Sequence, residues 1–219
     1  MFEVFCGRYV HSFRCYWLDK DDKDTEHIWQ KNMGLKLDGS PQIILLKEKP
    51  DLAPPTKYLL TTFDSEEDIH TFYKKSLEGE WPPHYRSQNL PSPNFKSNQV
   101  KASSRNILEI LKHDAEEDVL LYLYSETCGY CKDFNPVWES AADQLKKKYP
   151  SVKIRLAKMD GQYNDVPDYS ARGFPAFLLY TKDSGSNYIE VDLPRDLPGF
   201  MQWMKNALPS WRDADVSDL

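Results

Sequence analysis

The chain has 219 residues but only four cysteines and nine glycines, no long apolar run, and no concentration of basic residues. Each shortage excludes something. Four cysteines are too few for a chain of this size to be held together by disulfides. No stretch approaches the ~20 apolar residues of a membrane-spanning helix, so no membrane partner is expected. Lysine and arginine number 28 against 34 aspartates and glutamates, a net charge of -6, and the two signs are mixed along the chain. Nucleic-acid binding needs a clustered basic face, so no nucleic acid is expected either. The runs Lys146-Lys147-Lys148 and Asp21-Asp22 read as solvated surface. Met1-Phe2-Glu3-Val4-Phe5 lacks the basic start and apolar core of a secretory leader, which taken alone points to the cytosol. A hydrophobic fraction of 40% and an aromatic fraction of 13% suffice for packed cores, in one large or two modest domains.

Two of the four cysteines form the stretch that organises the chain, Cys128-Gly129-Tyr130-Cys131. The apolar run Val119 to Leu123 before it has the length and residue types of a buried strand, and Lys132 to Tyr149 after it has helical periodicity. A C-x-x-C at a strand-to-helix junction places two thiols one turn apart. The first lies at a helix N-terminus, where free N–H groups and the helix dipole favour an anion. The thiolate is the reactive species, so the pattern reads as a dithiol/disulfide exchange site. A zinc site is not supported: C-x-x-C supplies two ligands of four, and no second such pair completes the set. Cys6 and Cys15 have no paired spacing and read as buried thiols.

Around that stretch the chain divides into two halves. In residues 1–85 a strand is predicted over Phe13 to Leu18, and a helix through Trp29 capped by Asp24 or Thr25 and stopped at Gly34. Strands follow at Ile43 to Leu46 and Tyr58 to Leu60, then a helix from Asp64 to Glu78 with Ile69, Phe72, Tyr73 and Leu77 on its apolar face. Residues 86–98, polar with Pro91 and Pro93, read as a semi-extended linker. In residues 99–211 the predicted order is β-α-β-α-β-α-β-β-α, including a short helix over Val166 to Ala171, and residues 212–219 read as a tail. The last five elements repeat the order of the first half.

The second half resembles a thioredoxin-like domain, most closely the C-terminal catalytic domain of the protein disulfide isomerases. The matching motifs are Cys128-Gly129-Tyr130-Cys131-Lys132, Pro136 in the helix behind it, Lys158-Met159-Asp160 at a strand end, and Phe174-Pro175 at the family's cis-proline loop. The first half is similar to the latter part of that family's non-catalytic, substrate-binding domain, through Gly34 to Leu46, the helix from Asp64 to Glu78, and Pro82-Pro83-His84. The opening β-α-β-α portion of that domain is expected to be missing or cut short. The expected fold class is therefore α/β and thioredoxin-like, with one complete C-terminal domain preceded by a partial one.

The resemblance implies roles. Cys128 is the nucleophile and Cys131 the resolving thiol, and the two close a Cys128–Cys131 disulfide. Gly129 and Tyr130 complete the redox-active motif. Pro175 faces the cysteines through a cis bond and exposes the Phe174 backbone to a substrate strand. Arg195 stands where the family has a basic residue that swings toward the site to stabilise the Cys131 thiolate. Lys158 is either a half-buried partner in that network or a surface lysine at a strand end. No cofactor or metal is implied. Partners are unfolded or disulfide-containing proteins, with glutathione or an upstream thiol oxidase as electron partner. The implied compartment is the endoplasmic reticulum lumen, although Val216-Ser217-Asp218-Leu219 is only a distant echo of a retrieval signal.

Three positions depart from the family pattern. Thr127 replaces a tryptophan. Tyr130 replaces a histidine that can carry positive charge, so a more reducing potential is expected. Tyr122 stands where a buried glutamate takes the proton of the resolving cysteine, so slow escape from mixed disulfides is expected. The resulting reading is an enzyme of protein folding, a protein disulfide isomerase that forms, reduces or rearranges disulfides. The alternative is a chaperone-like binding module with weak or regulatory redox activity. In that alternative Trp17, Trp29 and Trp81 offer an apolar surface.

Overall fold

The computed structural model describes residues 29–35, 40–49, 55–97, 99–112, 114, 116–184, 187–212 and 214. The strand expected at Phe13 to Leu18, Cys6, Cys15, Trp17 and nearly all of the tail lie outside the described residues. The chain falls into two units: Met1–Arg86 with Pro167–Ser170, and Ser87–Val166 with Ala171–Leu219.

Among the described residues the first unit begins with a single π turn, Trp29–Met33, ended by Gly34 at φ 70°, a left-handed conformation that glycine adopts without cost. Strands β1 (Ile43–Lys47) and β2 (Thr56–Leu60) pair antiparallel, with Leu45 opposite Tyr58. Helix α1 (Glu66–Glu78) starts at Ser65, whose hydroxyl accepts from the Asp68 N–H while the Asp68 carboxylate accepts from the Ser65 N–H. This reciprocal cap fixes the first turn, and the acids Glu66, Glu67 and Asp68 suit the helix dipole there. Tyr58, Leu60, Ile69 and Phe72 form the core, with Trp81 edge-on to Phe72 and its indole N–H donating to the Leu59 carbonyl. Trp81 therefore belongs to the packing of this unit. The apolar face is shifted by one residue from the expected one: Ser76 is buried and Leu77 is 44% exposed.

In the second unit, residues 87–97 have no helix or strand and are held by hydrogen bonds. The Gln88 N–H donates to Asn164 Oδ1 at 3.0 Å, and the Arg155 guanidinium donates to the Ser97 carbonyl at 3.2 Å. Strands β3 (Gln99–Ala102), β4 (Asp118–Tyr124), β5 (Ile154–Asp160), β6 (Ala176–Tyr180) and β7 (Ile189–Glu190) form one sheet in the order β3-β5-β4-β6-β7. β3, β5 and β4 run parallel, and β6 is antiparallel to both β4 and β7. β4 is central and buried almost throughout, as its unbroken apolar run requires.

The helices of this unit are α2 (Ile107–Lys112), α3 (Gly129–Lys148), α4 (Leu197–Ala207) and α5 (Pro209–Arg212). α3 begins three residues before the expected Lys132, because Cys128 serves as its N-cap. Phe134, Trp138, Ala141 and Leu145 on α3 pack with Tyr122, Phe177, Phe200 and Met204. The short helix expected over Val166 to Ala171 is not there. Asp168 is in the left-handed region at φ 59°, and Pro167 has no N–H to donate.

Candidate active site

The site is built where β4 ends and α3 begins. The Ser125 carbonyl accepts from the Cys128 N–H at 3.2 Å and closes the turn. Cys128, half-buried, caps α3: its Sγ accepts from the Cys131 N–H at 3.2 Å. An N–H pointed at sulfur at a helix N-terminus is suited to hold negative charge there. Cys131, set one turn into α3, is fully buried. Burial pushes its thiol up to about 11, the neighbouring Cys128 adding to the effect and the Ser125 backbone and Tyr122 hydroxyl opposing it. Cys128 and Cys131 are free thiols in this structure. Tyr130, between them, is 78% exposed, and no histidine takes its place.

The loop before β6 faces the motif. The Phe174–Pro175 bond is cis, and the Phe174 carbonyl accepts from the Cys128 thiol at 3.3 Å. The Phe174 ring lies against Gly161. A Cβ at Gly161 would stand 2.4 Å from it, so only glycine admits this contact. An open groove of about 620 Å³ begins here, lined by Tyr130, Asp133, Arg172, Phe174, Pro175, Glu190 and Arg195. The Arg195 guanidinium lies 5.4 Å from the ring centres of both Phe134 and Phe177. In this structure Arg195 forms part of the groove wall, stacked on aromatic faces.

Beneath Cys131 lies a polar network within the core. The Tyr122 hydroxyl is 3.2 Å from both the Cys131 carbonyl and Asn135 Oδ1, and the Lys158 amine donates to the same Asn135 oxygen at 2.7 Å. The pairing of β4 with β5 sets Tyr122 opposite Lys158. The Lys158 amine also lies 4.7 Å from the centre of the Tyr124 ring. Burial lifts the Tyr122 phenol far above its ordinary value, so it stays protonated. Burial lowers the Lys158 amine, against the pull of Glu139 and Cys131. Lys158 is thus a half-buried member of the network and not a surface lysine.

Thr127, in place of a tryptophan, joins a hydrogen-bond cluster on the other side of the motif. Its hydroxyl is 3.0 Å from the Ser125 hydroxyl and accepts from the Gln162 side chain at 3.1 Å. Sequence reasoning did not single out Asn135, Gly161, Ser125 or Gln162. The available signals were local ones: Asn135 follows Cys131 by four residues, the spacing of one helix face, and Gly161 directly follows a strand end.

A cysteine pair at the N-terminus of a helix that follows a central parallel strand, faced by a cis-proline loop, defines a thioredoxin-type domain. Residues 98–206 match the Thioredoxin family model. The chain is similar to a protein disulfide-isomerase of Gallus gallus, 29% identical over 100% of this chain and 41% of that protein. It is also similar to a protein disulfide-isomerase of Drosophila melanogaster, 31% identical over 85% of this chain and 36% of that protein. Among solved structures, the first thioredoxin domain of mouse protein disulfide-isomerase A4 is 22% identical, with a TM-score of 0.44 over 55% of this chain and 83% of that one. The chain belongs to the protein disulfide isomerase family, and it spans less than half the length of those two relatives. Among the described residues no helix is long and apolar enough to cross a membrane.

Proposed function

We propose that this chain is a thiol–disulfide oxidoreductase or isomerase acting on protein substrates through Cys128. The observation that carries the reading is the setting of the Cys128 sulfur: half-buried at the head of α3, with the Cys131 N–H on it and the Phe174 carbonyl 3.3 Å away.

The Cys128 thiolate attacks one sulfur of a substrate disulfide. That S–S bond breaks, a mixed disulfide forms, and the departing sulfur leaves with the electron pair and takes up a proton. Cys131 then loses its proton and attacks the Cys128 sulfur. The product is a Cys128–Cys131 disulfide and a reduced substrate, a transfer of two electrons. Run backwards the sequence oxidises a substrate, and attack by a second substrate thiol before Cys131 acts rearranges it. Glutathione or an upstream thiol oxidase resets the pair. The groove beside Tyr130 and the Phe174-Pro175 edge receives the substrate strand, and Arg195 forms one wall of it. By its family the chain works in the endoplasmic reticulum lumen on unfolded proteins.

Glutathione-coupled refolding of a protein with scrambled disulfides, with wild type and Cys128→Ser, tests this. Catalysed refolding that falls to the background rate in the variant is the expected result. Activity that persists without Cys128 would overturn the reading. So would inactivity of the wild type with binding of unfolded chains intact, which would make the chain a binding module.

A further inference from the structure

Cys131 must ionise to resolve a mixed disulfide, yet it is fully buried among aromatic rings. Charge on a buried sulfur is costly unless something nearby answers it. The polar network beneath it holds a cation, Lys158, linked by hydrogen bonds to its surroundings. Asn135 lies four residues beyond Cys131, on the same face of α3. Its amide oxygen accepts from Lys158 at 2.7 Å and lies 3.2 Å from the Tyr122 hydroxyl, which also reaches the Cys131 carbonyl.

Resting on the exchange reading above, we propose that Asn135 is a positioning residue for the resolving step, anchoring the Lys158 ammonium and the Tyr122 hydroxyl beneath Cys131 so that charge developing on the buried sulfur meets a cation whose own partner is neutral. A carboxylate at this place would pair with the ammonium and cancel its field. An amide oxygen holds the ammonium without cancelling it. Tyr122 cannot take over the cation's role, since burial keeps its phenol protonated. The other groups facing Lys158 are Glu139 and Cys131 on α3, Tyr122 and Tyr124 on β4, and Lys101 on β3. Glu139 is exposed, so its opposing charge acts mainly through solvent. The amine's drop with burial fits a cation held where solvent is scarce, where its field is strong.

The reagent 5,5′-dithiobis(2-nitrobenzoate) separates the two steps. Attack by Cys128 releases one thionitrobenzoate and leaves a mixed disulfide. Attack by Cys131 on the Cys128 sulfur then releases the second and closes the disulfide. Both releases are followed by absorbance, over a range of pH. Asn135→Leu and Lys158→Met are each expected to slow the second release about tenfold at pH 7, the scale of losing a hydrogen bond to a charged group. Each should also move the pH profile of that release upward and leave the first release unchanged. The double variant is expected to be no slower than the slower single, because both changes remove one arrangement. Should Asn135→Leu fail to fold, Asn135→Ala takes its place with the same expectation. An unchanged second release in an Asn135 variant, or effects that multiply in the double, would overturn the proposal. Absence of the first release from wild type would overturn the exchange reading itself, and this inference with it.

Discussion

Two stretches of this chain follow the same course, an antiparallel strand pair and then an amphipathic helix. They are β1-β2-α1 in the first unit and β6-β7-α4 in the second. In the first unit the pair is a two-stranded sheet among the described residues, and a small core of Tyr58, Leu60, Ile69 and Phe72 holds it to its helix. In the second unit β6 pairs with β4, so the same course becomes the edge of a five-stranded sheet with a large aromatic core. The chemistry follows the parallel half. Both thiols stand at the junction from β4 to α3, and the antiparallel pair contributes the Phe174-Pro175 loop that faces them and Glu190 in the groove wall. A strand pair with a helix is a packing unit, and it becomes part of a site only when a strand-to-helix junction is brought beside it.

The strongest test of this comparison is stability. Trp138 and Phe72 are each almost wholly buried, one in each core. Truncation of either to alanine is expected to cost its own unit about 3–5 kcal/mol. Denaturant unfolding followed by circular dichroism should show two transitions, with each variant moving only one. A single transition moved by both substitutions would break the comparison.

A smaller effect sharpens the assignment of chemistry to the second unit. Burial raises the Cys131 thiol to about 11, so near neutral pH it is protonated, and the nucleophilic thiolate grows as pH rises toward that value. The rate at which Cys131 displaces a thiol from Cys128 should therefore rise by about tenfold per pH unit between pH 7 and 9. A flat profile would show that proton loss from Cys131 does not limit the step. The smallest expected effect lies at the exposed motif position. Tyr130→His adds a group that can carry positive charge beside Cys128, and should make the pair more oxidising by up to about 30 mV, since solvent screens an exposed charge. A glutathione redox titration that found no change, or a more reducing pair, would remove Tyr130 as a determinant of potential.

Most of the second unit was legible in the sequence because its signals are local. An unbroken apolar run can only be a buried strand here, and α3 carries its stripe of Phe134, Trp138, Ala141 and Leu145 in plain helical spacing. The cysteine pair and the proline loop were legible as motifs. Long-range arrangements were not. Asn135 reads as one more polar helix residue until the pairing of β4 with β5 sets Lys158 opposite Tyr122 and both reach its oxygen. Gly161 reads as an ordinary turn glycine until the Phe174 ring is laid on it. The expected helix at Val166 to Ala171 does not form, because the backbone turns left-handed at Asp168. Ser76, and not Leu77, is buried because it lies seven residues after Ile69 and four after Phe72, on the same face of α1.

At the opposite end of β4 from Cys128, the Asp118 side chain is fully buried. Its two carboxylate oxygens accept one N–H each, from Lys182 and Ser210, at 2.9 Å. Ser210 lies 92 residues after Asp118. At a synthesis rate of about 5–20 residues per second, that half of the carboxylate's partnership is missing for roughly 5–18 s after Asp118 is made. Cys128 is made ten residues after Asp118, so it waits roughly 4–16 s at the same rate before Ser210 exists. The nascent chain thus carries its reactive thiol before the domain around it can be completed, and during that interval the order of synthesis alone leaves the sulfur open to exchange with other disulfides.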